Sequence, residues 1–239
     1  MTRLICGQQI DGPLYGEGQL GTGVDLVDRV LSTVRLGPAG KCPEEPDKPI
    51  LVIFDPDHSG SVVSGGGADP VGNRFREMRL AIETVAKRCK CGRELAAMLN
   101  FDSPNSGDVA PTPLRGGMAS LERGLTIPRD AGGCSLLGPS LARAQAMADQ
   151  HPDHHVVLIV LSDFQLFDSN VAEVLSDFAN FPGQAHAVVL RASPPQVLLD
   201  DPRVIVTPMK PTDPPGALAK AIFGTLTAAR RMPSRRRTS

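Results

Sequence analysis

The stretch ILVIFDPDHSGSV, residues 50–62, places a continuous apolar run directly before a group of oxygen-bearing side chains. The apolar residues 50–54 indicate a strand buried on both faces, as in a parallel sheet that is covered on both sides. Two carboxylates and two hydroxyls then follow within residues 55–61. Such polar groups are costly to bury without partners. The stretch therefore predicts a central strand with a functional loop at its carboxyl end.

Apolar runs and amphipathic segments alternate along the rest of the chain. The run VVLIVL, residues 156–161, predicts a second doubly buried strand, and apolar spacings of three and four predict a helix over 74–89. Further strands are predicted at 95–101, near 121–126, at 187–190 and at 203–206, and further helices at 138–150, 170–181 and 217–230. This alternation predicts an α/β fold with a Rossmann-like, doubly wound, mostly parallel central sheet and helices on both faces.

The predicted domain occupies residues 50–229. Residues 1–49 are predicted to be an N-terminal extension and linker, with a short helix at 24–34 and a segment rich in proline and glycine at 36–49. Residues 230–239 contain five arginines and no acidic residue, which predicts a basic, disordered tail.

Charge and hydropathy exclude several functional classes. The 239-residue chain has a net charge of −1, which argues against a nucleic-acid-binding protein apart from a weak, salt-dependent contact by the arginine tail. The N-terminus lacks the long apolar region of a secretory signal, and no stretch is apolar enough to span a membrane. We therefore expect a cytoplasmic protein that does not act at a membrane.

The five cysteines are odd in number and scattered, which argues against a disulfide framework. Cys89 and Cys91 have the spacing of half a zinc site, but a second well-spaced cysteine pair is missing. The pattern favours reduced thiols in a cytosolic protein.

Polar side chains occur at or beside the carboxyl ends of predicted strands, which is where ligands bind in doubly wound sheets. Asp57, Ser59 and Ser61 follow the first strand, Ser135 precedes the helix at 138, and Asp163 follows the strand at 156–161. Their oxygens are the ligands that Mg²⁺, Ca²⁺ or Mn²⁺ prefers. Neutral hydroxyls leave such a cation short of negative charge, so an aspartate or glutamate of a partner could complete its coordination. The same residue types also cap helices and form turns, and that alternative stays open.

Three motifs resemble those of the von Willebrand factor A family, in the family's order. ILVIFDPDHSGSV resembles the first strand and D-x-S-x-S motif of the metal-ion-dependent adhesion site, GGCSLLGPSLARA resembles the stretch with the threonine ligand, and VVLIVLSDFQLFDS resembles the strand with the acidic ligand. The resemblance implies that Asp57, Ser59, Ser61, Ser135 and Asp163 bind a divalent metal, with Ser135 in place of the threonine. Two departures are Phe164, where the family has glycine, and Asp55-Pro56, where it has apolar residues.

The resemblance further implies a protein-interaction module rather than an enzyme. Intracellular bacterial relatives often serve as adaptors or scaffolds beside an AAA+ ATPase, a kinase or a protease, and the arginine- and alanine-rich composition suits a bacterial source. The partner would offer an aspartate or glutamate to the metal. Phe164 and Phe167 follow the metal loop directly and are candidates for the surrounding partner surface.

An enzymatic alternative rests on VIFDPDHS, which also resembles the first motif of haloacid-dehalogenase-like phosphatases. In that interpretation Asp55 would be the nucleophile, Asp57 the general acid, and Mg²⁺ would hold the phosphate. The stretch around Ser135 has no role in it, and a convincing lysine motif is missing.

Overall fold

The computed structural model describes residues 29–44, 47–64, 66–69, 72–101, 106–128 and 133–231. These residues form a six-stranded sheet with the order β3-β2-β1-β4-β5-β6. The strands are β1 (Ile50–Pro56), β2 (Leu95–Met98), β3 (Val109–Pro113), β4 (His155–Ser162), β5 (Gln184–Leu190) and β6 (Val204–Met209). Every neighbouring pair is parallel except β2 with β3, which is antiparallel. The predicted mostly parallel sheet is confirmed.

Helices connect the parallel strands. Residues 29–33 form the described part of helix α1. The remaining helices are α2 (Gly60–Val63), α3 (Asn73–Ala86), α4 (Met118–Leu121), α5 (Gly138–Asp149), α6 (Val171–Ala179), α7 (Gln196–Leu199) and α8 (Ala217–Ala229), and a 3₁₀ turn spans Glu122–Gly124. The four longest, α3, α5, α6 and α8, correspond to the predicted helices.

The alternation of side chains along β1 divides the core into two layers. Ile50, Val52 and Phe54 face one layer, which contains buried residues of α3 and α8. Leu51 and Ile53 face the other layer, which contains buried residues of α5 and α6. Because both faces are covered, every residue of β1 is buried. The doubly wound architecture with helices on both faces is therefore confirmed.

The segment between β2 and α5 differs from its prediction. Residues 121–126 are not a strand, because Leu121 ends α4 and a 3₁₀ turn follows. The four-residue spacing that buries both Leu121 and Leu125 is helical. The extra strand is instead β3, whose sequence VAPTP contains two prolines. A strand with prolines is tolerated at the edge of a sheet, and β3 is an edge strand.

Residues on both sides of the predicted domain pack against it. Leu31 and Ala39, from the segment before β1, are buried. Arg230, at the first position of the predicted tail, is also buried and donates a hydrogen bond of 2.8 Å to the carbonyl of Ala39. Residues 1–28 and 232–239, which include most of the predicted extension and tail, lie outside the described residues.

The strand order reverses direction between β1 and β4. From β1 the chain winds outward to β2 and β3, and from β4 it winds the other way to β5 and β6. The carboxyl ends of the two strands at such a reversal leave a crevice where ligands bind in doubly wound sheets. Both Asp57 and Asp163 follow directly on these two strand ends.

Candidate metal centre

Asp57 lies at the centre of a buried hydrogen-bond network. Its backbone N–H donates to the carbonyl of Leu161 at 2.9 Å, which keeps β1 and β4 paired up to this point. Its carboxylate Oδ2 accepts hydrogen bonds from Ser135 Oγ at 2.8 Å and from Ser162 Oγ at 2.7 Å. Its Oδ1 accepts from the backbone N–H of Ser59 at 2.7 Å. Two serine side chains and one backbone N–H, from three separate parts of the chain, therefore converge on one carboxylate.

The two serines of the first motif lie next to each other. Ser59 is buried and directly precedes α2, and Ser61 is half-buried within α2. Their hydroxyl oxygens are 3.0 Å apart. We call Asp57, Ser59, Ser61, Ser135 and Ser162 together the oxygen cluster.

Ser135 is held in place by the segment that follows β4. The backbone N–H of Phe167 donates to the carbonyl of Ser135 at 2.8 Å. The Asp168 carboxylate accepts from the backbone N–H groups of Leu137 at 3.0 Å and Gly138 at 2.9 Å. A Cβ at Gly138 would lie 2.9 Å from Asp168 Oδ1, so a larger residue would displace this carboxylate. The two loops thus form one unit around the Ser135 hydroxyl, which is fully buried.

Asp163 lies beside the oxygen cluster. It is 5% exposed, and its Oδ1 accepts a hydrogen bond from the backbone N–H of Gln165 at 3.1 Å. It makes no direct hydrogen bond to the other four predicted ligands within the described part of the chain. Its link to them runs through the preceding residue, Ser162, which contacts Asp57. The structure therefore brings Asp57, Ser59, Ser61 and Ser135 into one bonded group and leaves Asp163 adjacent to it.

Phe164 differs from its predicted role at the surface. It has a φ of 57°, in the left-handed region that favours glycine, which explains why the resembling motif has glycine at this position. The ring is 8% exposed and packs against Phe178, with the ring centroids 6.5 Å apart. The prediction that Phe164 forms a partner surface is therefore wrong, because its side chain packs into the core. Phe167, by contrast, is 65% exposed.

Three polar residues support the site from outside the predicted set. Buried Arg74 donates from Nη2 to the carbonyl of Asp57 at 3.0 Å and contacts His58 Nδ1 at 3.2 Å. Its Nη1 forms an ion pair of 2.7 Å with Asp69. Arg74 is one of several arginines in an amphipathic helix, and nothing in the sequence pattern distinguishes it from its solvated neighbours.

The position of Asp55 argues against the phosphatase interpretation. Its side chain is fully buried, and Oδ2 accepts a hydrogen bond from Ser140 at 2.6 Å. Burial raises the pKa of this carboxyl to about 7, which favours its protonated form. A nucleophile must be ionised and must reach the phosphorus atom. Full burial keeps Asp55 away from a phosphorus atom, and its raised pKa makes ionisation less favourable than in an ordinary aspartate.

The donor chemistry of the oxygen cluster fits a hard divalent cation. With Mg–O distances of about 2.1 Å, neighbouring ligands of an octahedral Mg²⁺ lie about 3.0 Å apart. The separation of the Ser59 and Ser61 hydroxyls matches this spacing. Burial raises the pKa of Asp57, because a buried carboxylate is poorly solvated, and a cation would supply the missing positive charge. Asp57, Ser59, Ser61, Ser135 and Asp163 are the residues that could hold it.

Comparison with known proteins gives matches at the level of structure. No protein family profile matches the sequence, and no curated protein matches it. A von Willebrand factor type A protein from Catenulispora acidiphila is similar in structure, with a TM-score of 0.53, 16% identity, and coverage of 77% of this chain and 43% of that one. The pilus adhesin SpaC from Lactobacillus rhamnosus GG has a TM-score of 0.55 at 13% identity, over 80% of this chain and 31% of the adhesin.

A third similar structure is of comparable size. An aerotolerance-related membrane protein from Bacteroides fragilis, with multiple mutations to serines, has a TM-score of 0.52 at 9% identity and matches over 76% of this chain and 98% of its own. This chain spans less than half the length of the first two proteins. None of its described helices has the length and apolar character that crossing a membrane requires. The strand order, the two helical layers and these similarities identify the fold of the chain as that of von Willebrand factor A domains.

Proposed function

We propose that this chain is a protein-interaction module that depends on a divalent metal. Asp57, Ser59, Ser61, Ser135 and Asp163 hold Mg²⁺, with Ca²⁺ or Mn²⁺ as substitutes. The observation that carries the proposal is the convergence of the loop after β1, the loop before α5 and the end of β4 on the Asp57 carboxylate. These five ligands leave one position of an octahedral Mg²⁺ open, and an anionic oxygen of a partner could fill it.

The chain's own residues perform the binding in this proposal. Arg74 and the backbone N–H of Ser59 fix the position of Asp57, and Asp168 with Phe167 fixes that of Ser135. Bound there, the metal supplies a coordination position for an aspartate or glutamate of the partner protein. The preformed network reduces the ordering that binding requires, because the ligands are already held in place. No residue is assigned a catalytic role.

The cellular setting belongs to the same proposal. We place the chain in the bacterial cytoplasm, as an adaptor or scaffold beside an AAA+ ATPase, a kinase or a protease. The similarity to a protein described as a pilus adhesin supports a role in binding, since adhesion is also recognition of a partner. The acidic excess of the domain outside the arginine tail makes nucleic acid an unsuitable partner.

Metal binding tests the first part of the proposal. Mn²⁺ binding is measured by electron paramagnetic resonance, and Mg²⁺ binding is measured by calorimetry. The test compares the wild-type chain with Ser61→Ala, within α2, and with the matched control Ser64→Ala, directly after α2. Ser61→Ala should weaken metal binding about tenfold or more, since even outer partners of metal ligands are worth about 10–100-fold. Ser64→Ala should bind like wild type. Equal binding by all three chains would reject Ser61 as a ligand.

The partner part is tested by affinity capture from native bacterial lysate with Mg²⁺ or with chelator. A partner of the proposed kind should be captured by the wild type and Ser64→Ala with Mg²⁺, and lost with chelator or with Ser61→Ala. Its own aspartate-to-asparagine and glutamate-to-glutamine variants should then identify the carboxylate. Capture that is insensitive to chelator and to Ser61→Ala would contradict a metal-mediated contact.

A further inference from the structure

A second cluster of potential metal ligands lies at the opposite end of the sheet from the oxygen cluster. It consists of Cys42, Cys89, Cys91 and Glu94, and we call it the thiol cluster. One ligand atom from each residue lies within 4.8 Å of all the others. Glu94 directly precedes β2, whereas the oxygen cluster follows the carboxyl ends of β1 and β4. The two groups are therefore separate sites.

Two distances within the thiol cluster match those of a tetrahedral zinc centre. With Zn–S distances of about 2.3 Å, two sulfurs of a tetrahedral site lie about 3.8 Å apart, and a sulfur and a carboxylate oxygen lie about 3.5 Å apart. The Cys89 and Cys91 sulfurs are 3.9 Å apart, and Cys42 Sγ is 3.5 Å from Glu94 Oε2. A sulfur separation of 3.9 Å is also far longer than a disulfide bond of about 2.05 Å.

Two of the three sulfurs accept hydrogen bonds from the backbone. The backbone N–H of Lys90 donates to Cys42 Sγ at 3.2 Å, and that of Arg93 donates to Cys91 Sγ at 3.4 Å. Hydrogen bonds of this kind favour the charged form of an acceptor. Both donors come from the turn that contains Cys89 and Cys91, so the turn both supplies ligands and stabilises them.

Glu94 is a buried carboxylate with a fixed orientation. It is fully buried, and its two oxygens accept hydrogen bonds from the guanidinium of Arg230, one of them from Nε at 2.7 Å. Arg230 neutralises one of the four negative charges that three thiolates and a carboxylate would bring. A divalent cation would neutralise two more, which leaves a modest net charge for a site of this burial.

We propose that Cys42, Cys89, Cys91 and Glu94 form a structural zinc site. Soft thiolate ligands in a compact tetrahedral group select zinc over the hard cations that suit the oxygen cluster. The site would fasten the segment before β1, through Cys42, to the turn between α3 and β2. Sequence spacing could not reveal it, because the missing ligands are a cysteine far upstream and a glutamate rather than a second cysteine pair.

The test measures zinc in the full-length chain after expression in zinc-supplemented medium and purification under reducing conditions without chelator. Elemental mass spectrometry should find about one zinc ion per wild-type chain, as four-ligand structural sites hold. Cys42→Ser and Cys91→Ser should each lose most of this zinc. The matched control Cys134→Ser, a cysteine outside the cluster, and Asp57→Asn in the oxygen cluster should both retain it.

Measurements on the wild type keep the proposal testable if the cysteine variants do not fold. Replacement of zinc by Co²⁺ should give thiolate-to-cobalt charge-transfer absorption together with the visible bands of tetrahedral cobalt. Zinc should also protect Cys42, Cys89 and Cys91 from alkylation while Cys134 reacts. Absence of zinc and of cobalt–thiolate absorption in the wild type would overturn the proposal. Zinc retained by the folded Cys42→Ser and Cys91→Ser variants, or lost in Asp57→Asn instead, would overturn it equally.

Discussion

The Ser135 hydroxyl donates a hydrogen bond of 2.8 Å to Oδ2 of Asp57 across 78 positions of sequence. The loop before α5 and the loop after β1 thus meet at one buried carboxylate. Since Ser162, at the end of β4, donates to the same oxygen, the Asp57 carboxylate accepts hydroxyls from two distant parts of the chain. This relationship links the stability of the fold to the integrity of the candidate metal centre.

We predict that Ser135→Ala lowers both stability and metal affinity. The variant leaves a buried carboxylate with one donor fewer, and a lost partner of this kind costs about 1–3 kcal/mol of unfolding free energy. Urea unfolding of the metal-free chain measures this cost, and Mn²⁺ titration measures the affinity. Ser193→Ala, at an exposed serine, is the control and should change stability by less than about 0.5 kcal/mol. Unaltered metal affinity in a folded Ser135→Ala variant would remove Ser135 from the ligand set.

We predict that replacing Phe164 by glycine destabilises the chain less than replacing it by alanine. Phe164→Ala should cost about 3–5 kcal/mol, because it removes a buried ring from the core. Phe164→Gly loses the same ring but relieves the left-handed backbone at φ 57°, which costs a residue with a Cβ about 1–2 kcal/mol. We therefore expect the glycine variant to be more stable than the alanine variant by about 1 kcal/mol.

The measurement is the midpoint of urea unfolding for both variants. Glycine ordinarily costs about 0.5–1 kcal/mol relative to alanine within regular structure, so the predicted order is the reverse of the usual one. The alternative result, with Phe164→Ala the more stable chain, would show that the backbone of Phe164 is not strained.

The buried ion pair between Arg74 and Asp69 should behave as a unit. Arg74→Met leaves the Asp69 carboxylate buried without its cation, and breaking such a pair costs about 3–5 kcal/mol. The double variant Asp69→Asn/Arg74→Met removes both charges, so we expect it to be more stable than Arg74→Met alone. A double-mutant cycle with the single variant Asp69→Asn, measured by urea unfolding, gives the coupling energy. Additive single-variant effects would mean that the pair contributes no interaction of its own.

We predict that buried His186 lowers the unfolding free energy of the chain as the pH falls. It is fully buried on β5 between the hydroxyls of Thr207 and Thr225, each 2.9 Å from a ring nitrogen. Burial lowers the pKa of His186 to about 4 from its ordinary 6.5. Below pH 6.5 the unfolded chain therefore binds a proton that the folded chain does not, and stability is lost as pH falls toward 4. The full effect is about 3 kcal/mol.

The pH dependence is checked by urea unfolding between pH 7 and pH 4.5 for the wild type and His186→Gln. Glutamine cannot take up a proton, so the variant should lose less stability over this range. Burial also lowers the pKa of His58, but both chains keep this residue. The difference between their pH profiles therefore isolates the contribution of His186. Parallel pH profiles would show that His186 titrates alike in the folded and unfolded chains.

The main fold could be predicted because the two continuous apolar runs at 50–54 and 156–161 are typical of doubly buried strands, and they form β1 and β4. The edge strand β3 escaped prediction because its two prolines are typical of a loop. The helical turns after it were mistaken for a strand because the buried positions Leu121 and Leu125 are few and lie in a segment rich in glycine and proline. Elements at the edge of a sheet bury little apolar surface, so the spacing of apolar residues in their sequence is a weak guide to their structure.

For the site, residue types and motif order identified Asp57, Ser59 and Ser135, which do lie in one bonded group. Ser162, beside Asp163 at the end of β4, closes the same network and lies outside the five predicted ligands. The thiol cluster could not be predicted either, because the spacing of Cys42 from Cys89 in sequence carries no information about their distance in space. Packing of the segment before β1 brings them together.

Phe167 is the side chain we expect to matter for partner binding rather than for metal binding. Its side chain is 65% exposed, and its backbone N–H is bonded to the carbonyl of Ser135, so its backbone is held beside the oxygen cluster. Rigid exposed aromatic side chains near the centre of an interface contribute about 2 kcal/mol or more to binding. Phe167→Ser should therefore weaken capture of a Mg²⁺-dependent partner about thirtyfold, which is the same energy expressed as affinity. Mn²⁺ affinity should stay at the wild-type value, because the serine keeps the backbone hydrogen bond.

The control variant Ile205→Ser removes an exposed apolar side chain on the edge strand β6. Equal loss of capture in both variants would assign the effect to general surface hydrophobicity, and no loss in either would place the partner surface away from Phe167.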